Sequence, residues 1–111
     1  MTPNEFRGAA RALPGAKEKA HMGHPDFRVG GKIFATLGYP DDRFGTLVLA
    51  PEDQDVLVRR APSVFEPAAG AWGRAGGTSV LLRLASRRVV VAALESAWRR
   101  RAPKRLLLVK K

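Results

Sequence analysis

Phe27-Arg28-Val29-Gly30-Gly31-Lys32-Ile33-Phe34-Ala35-Thr36-Leu37 is the stretch on which the fold turns. Two runs rich in β-branched and aromatic residues flank a Gly-Gly pair, which accepts the positive φ angles of a tight primed turn, so the segment reads as a β-hairpin. Gly38-Tyr39-Pro40-Asp41-Asp42 marks a second turn, and Phe44 to Leu49 a further strand. Turns this short join antiparallel neighbours, so the hairpin grows into a meander.

Helical signals surround this sheet. Thr2-Pro3-Asn4-Glu5 combines a capping threonine, a first-turn proline and a capping-box glutamate, and Phe6, Ala9, Ala10 and Leu13 follow at helical spacing until Pro14-Gly15. At Pro51 a middle helix begins, with Glu52, Asp53 and Asp55 early and Arg59 and Arg60 late, the order that suits the helix dipole. Val56 and Leu57 are its expected buried side. Residues 62–77 read as a Pro- and Gly-rich loop holding Phe65, Trp72 and Arg74, and Thr78 to Arg83 as another strand. Ser86 caps a last helix running to about Arg101, with Val90, Leu94, Ala97 and Trp98 on one stripe and Arg88, Glu95 and Arg99 opposite. The expectation is an α+β fold: an antiparallel β-sheet covered by N-terminal, middle and C-terminal helices. One domain spans 1–105, and residues 106–111 form a short basic tail.

Composition removes several classes of function. The chain has 111 residues and no cysteine, which excludes disulfides, a thiolate nucleophile, cysteine zinc sites and iron–sulfur clusters. No apolar run approaches the roughly 20 residues of a membrane span, and Met1-Thr2-Pro3-Asn4-Glu5 lacks the basic and apolar regions of a signal peptide. A cytoplasmic protein with no membrane partner is expected. The formal charge is +10, and it is unevenly placed: residues 1–82 carry 10 basic and 9 acidic side chains, residues 83–111 carry 10 basic and only Glu95. Clustered positive charge attracts polyanions by counterion release and steering, and it equally serves as the solvated face of an amphipathic helix.

Catalytic patterns are missing. Ser63, Ser79, Ser86 and Ser96 lie in no Gly-x-Ser-x-Gly elbow, and the glycine-rich stretch 70–77 lacks the Gly-Lys-Ser/Thr of a phosphate loop. Asp41-Asp42 and Glu52-Asp53 fall where turns and helix starts favour acids. His21 and His24, with Asp26, suggest a metal, but in one continuous extended segment positions 21 and 24 point to opposite faces. A non-enzymatic protein without cofactor or metal is expected.

His21-Met22-Gly23-His24-Pro25-Asp26-Phe27-Arg28-Val29-Gly30-Gly31-Lys32-Ile33-Phe34-Ala35 resembles the signature stretch of the MmcQ/YjbR family. Leu13-Pro14-Gly15, Pro62 to Phe65, Trp72-Gly73, and Ala97-Trp98 followed by Ala102-Pro103-Lys104 are similar to that family in the same order. The resemblance implies a compact α+β domain of the kind compared with double-wing and frataxin-like folds, a DNA-binding label, and no catalytic residue. Gly76-Gly77-Thr78 departs from it where a bulky aromatic is expected before the threonine.

Two functional expectations follow. The first is weak, sequence-nonspecific binding of DNA or another polyanion through phosphates, by a monomeric domain. Arg28 and Lys32 would act as a wing beside the glycine turn, with Arg87, Arg88, Arg99, Arg100, Arg101, Lys104, Arg105, Lys110 and Lys111 as the basic helix and tail. Few Asn or Gln side chains lie on that helix, which argues against base readout. The second is a protein-interaction or small-ligand module using His21, His24, Phe27 and Trp72 as a mixed polar and aromatic surface.

Overall fold

The capping box forms as the sequence requires. Thr2 Oγ1 accepts the Glu5 N–H at 3.1 Å, the Glu5 carboxylate accepts the Thr2 N–H at 2.8 Å, and α1 runs Pro3–Arg11. A computed structural model describes residues 1–109 of the chain. Four strands follow α1: β1 Lys17–His21, β2 His24–Val29, β3 Lys32–Leu37 and β4 Phe44–Val48. After α2 (Pro51–Arg60) come β5 (Phe65–Pro67), the short α3 (Gly70–Arg74) and β6 (Gly77–Leu81). A 3-10 turn at Leu82–Leu84 leads to α4 (Arg87–Arg101) and α5 (Lys104–Val109).

The six strands form one antiparallel sheet in the order β1-β2-β3-β4-β6-β5. β2, β3 and β4 are the expected meander, and β1 adds a further antiparallel strand at its edge. The hairpin carries a bulge between Phe27 and Arg28, so that Phe27 faces Ala35 while Arg28 faces Ile33. Phe27, Val29, Ala35, Leu37 and Leu47 turn to one face, where they pack with Phe6 of α1 and with Val90, Leu94 and Trp98 of α4. Trp98 is fully buried, and its indole N–H donates to the Pro14 carbonyl at 2.8 Å, which ties α4 to the turn after α1. Each such large side chain withdrawn from water contributes about 1.5–3 kcal/mol.

Three expectations need correction. In α2, Leu57 packs partly buried against the core as expected, but Val56 is half exposed, and the buried residue is Gln54, whose amide N–H groups donate to the Gly73 and Gly77 carbonyls at 2.9 Å each. A buried amide is tolerated there because its donors are satisfied. The presumed loop 62–77 contains β5 and α3, which its Pro and Gly content concealed. The boundary drawn at 105 falls inside α5, whose Leu106 and Leu107 pack partly buried against the core.

Candidate functional site

The other face of the sheet is polar. Register places Lys17, Lys19 and His21 of β1 opposite Arg28, Asp26 and His24 of β2, and sets Thr36 of β3 between Asp26 and Thr46 of β4. Alternation thus gives the strands that build the core a second set of side chains, pointing away from α1 and α4.

His21 and His24 lie on the same side, contrary to the expectation from an extended segment. Met22 and Gly23 both adopt positive φ (50° and 81°), and this two-residue turn makes the histidines directly facing partners. Asp26 is the centre of the array. It has no exposed surface, and its carboxylate accepts Arg28 Nε–H at 2.8 Å, a second Arg28 N–H at 3.1 Å, and His21 Nδ1–H at 2.8 Å. The Arg28 hydrogen bonds, followed by that from His21, hold the Asp26 carboxyl below the usual carboxylate range despite burial. An ionised carboxylate only accepts, so His21 carries its proton on Nδ1 when neutral and leaves Nε2 for other partners. With Asp26 spent in this way, no cluster of three metal-ligating side chains forms among the described residues.

Beside this triad a groove of about 580 Å³ is lined by His21, Arg28, Lys32, Thr36, Trp72 and Arg101, among others. A second depression of about 390 Å³ shares His21, Thr36 and Trp72 with it and adds Met22, His24 and Tyr39. Trp72 reaches the face from α3. Gln54 holds α3 in place through Gly73, and the indole packs where a side chain on Gly77 would begin, with Trp72 Cγ only 3.0 Å from that position. Gly77, having no Cβ, therefore makes room for the tryptophan. Tyr39 lies 5.6 Å from Trp72, centroid to centroid, with the rings tilted by 53°. Two polar atoms here, Thr36 Oγ1 and Arg101 Nε, are buried without a hydrogen-bond partner.

The predicted cations divide. Arg28, Lys32 and Arg101 converge on the groove, and Arg105 joins Arg28 in an adjoining depression of about 340 Å³. Lys17 and Lys19, absent from the sequence-based set, line that depression too; their alternate spacing on β1 was the signal that could have found them. Arg87 and Arg88 begin α4, about 20 Å from Arg101 along the helix axis, and Arg88 lines a different cleft with Asp53 and Arg60 of α2. Arg99 and Arg100 are exposed, with Arg99 bound to Glu95 at 3.3 Å, and Lys104 is exposed on α5. Lys110 and Lys111 lie outside the described residues. The glycine turn is no free wing: Gly30, at φ +58°, packs against Pro103, so closely that a Cβ there would lie only 3.0 Å from the proline ring. Phe27 is fully buried, its ring set edge-on to Phe6 at 6.2 Å, so the interaction surface contains His21, His24 and Trp72 without it.

Residues 11–100 match the family model described as YjbR. The chain belongs to the YjbR family. No curated protein matches it. A similar fold is seen in a solved structure, that of the Deinococcus radiodurans protein DR2400 with its DUF419 domain: TM-score 0.72 and 18% identity, over 87% of this chain and 75% of that one. At that identity the likeness speaks for the α+β architecture alone. For this YjbR-family chain, what the site does must come from its own residues.

Proposed function

We propose that this YjbR-family domain is a non-enzymatic, cytoplasmic nucleic-acid-binding protein that holds phosphates weakly and without sequence preference in the groove on the open face of its sheet. The convergence of Arg28, Lys32 and Arg101 on one groove carries this reading. Lys17, Lys19 and Arg105 extend the positive surface along its edge. Asp26 offsets part of the charge of Arg28, which leaves Lys32 and Arg101 as the cations most available to an anion. Bidentate pairing meanwhile fixes the Arg28 guanidinium in one orientation.

The test is a salt titration of binding to duplex DNA, single-stranded DNA and RNA. Affinity should fall linearly in log–log form, with a slope of about 0.9 per phosphate neutralised on duplex. Lys32→Glu with Arg101→Glu should weaken binding about tenfold or more at low salt for all sequences alike. Arg87→Glu with Arg88→Glu, at the far end of α4, should change it much less. Absence of binding to every polyanion at low salt would refute the reading.

A second reading is favoured by one observation. The depression formed by His21, His24, Tyr39 and Trp72 has room, at about 390 Å³, for a small ring-bearing ligand.

A further inference from the structure

We infer that the groove selects single-stranded nucleic acid, with one unpaired base lying against Trp72 and Tyr39 while the neighbouring phosphates pair with Lys32 and Arg101. This rests on the nucleic-acid reading above and adds to it the state of the strand.

The argument starts from the union of two depressions of different character. The larger is cationic, and the smaller is aromatic and imidazole-lined. They meet at His21, Thr36 and Trp72, so one ligand can occupy both. A ligand that matches both is anionic at one end and flat and apolar at the other. In a duplex the base faces are hidden in the stack and only the phosphates remain to be held. In a single strand each nucleotide offers a phosphate and a free π-face, the combination that positive grooves with aromatic platforms capture. The tilt between the Tyr39 and Trp72 rings leaves them unstacked on each other, and Tyr39 is 37% exposed.

The rim and floor supply polar partners of the kind a base edge needs. His21 keeps Nε2 free of Asp26, and His24 sits edge-on to Tyr39 with centroids 6.4 Å apart. Thr36, only 2% exposed, forms part of the floor common to both depressions, its hydroxyl oxygen buried beneath it. Since every base has a π-face, this selects for strandedness and leaves sequence unread.

The experiment compares oligothymidylate, a duplex of equal length, an abasic oligonucleotide of equal length and thymidine monophosphate, by fluorescence anisotropy or competition at one low salt concentration. The single strand should bind more tightly than the duplex and quench the fluorescence of Trp72. Trp72→Ala should lower single-strand affinity about tenfold with little change for the duplex. Trp72→Phe, which keeps an aromatic face, should restore most of that loss. The abasic strand should bind the native protein only as well as the intact strand binds Trp72→Ala. If Trp72→Ala fails to fold, Trp72→Phe and the abasic strand decide the matter. Equal affinities for intact strand, abasic strand and duplex would overturn the base subsite and leave the phosphate reading standing. Failure of all of them to bind would remove the phosphate reading itself. Thymidine monophosphate binding as tightly as the oligomer would assign the groove to a free nucleotide and overturn the strand proposal.

Discussion

On β2, Phe27 and Val29 enter the core, while Asp26 and Arg28, their immediate neighbours, form the centre of the polar array on the opposite face. The two faces share a backbone but solve different problems. Beneath α1 and α4, apolar area is removed from water and shape complementarity does the rest. On the open face a buried carboxylate is kept ionised by Arg28 and His21, and cations and aromatics stand around it with polar valence to spare. The lesson is one of rigidity: site residues on alternate positions of packed strands inherit their placement from the core behind them. The bulge at Phe27/Arg28 adjusts this, setting Arg28 opposite Ile33 and letting Phe34 and Ala35 both bury.

Mutations that act on one face only would sharpen this contrast. Phe27→Ala should have the largest effect on stability, a loss of about 3–5 kcal/mol in urea unfolding, because a buried ring leaves a cavity. Polyanion affinity per folded molecule should be little changed. Asp26→Asn comes next, at about 1–3 kcal/mol near neutral pH, because Arg28 and His21 lose a charged acceptor. Asp26 titrates lower in the folded protein than in the unfolded chain, where an aspartate lies near about 3.9. Its contribution is therefore complete above that value and is lost as pH falls through the lower folded value, so the gap between native protein and Asp26→Asn should close on acidification. If Asp26→Asn cost as much as Phe27→Ala, the open face would have to be counted as core. Thr36→Val should have the smallest effect, from neutral to about 1 kcal/mol of stabilisation, since it removes a buried unpaired hydroxyl while keeping the shape. A clear fall in melting temperature for Thr36→Val would show that the hydroxyl is satisfied in the free protein.

Local signals carried much of the fold. The Gly-Gly hairpin, the Thr2–Glu5 capping box and the Ser86 cap are interactions between near neighbours, and each formed as the residue types imply. α3 and β5 were hidden because their stability comes from Gln54 and from pairing with β6, partners distant in the chain. The site was half legible. Arg28, Lys32, His21, His24 and Trp72 stood out by residue type, while Lys17, Lys19 and Thr36 gained meaning from register and Tyr39 from the turn that sets it beside Trp72.

The charge pattern marks the same division. By itself the sequence established a basic C-terminal segment, an amphipathic helix with Trp98 on its buried stripe, and an antiparallel meander, because periodicity and turn chemistry act over a few residues. Tertiary structure decided which cations share a surface: it brought Arg101 to the groove of Arg28 and Lys32 and left Arg87 and Arg88 at the other end of α4. It also buried Phe27, docked Gly30 on Pro103 and carried Trp72 onto the sheet. The physical reason is that face and neighbourhood depend on strand register and helix packing, which join residues far apart in the chain.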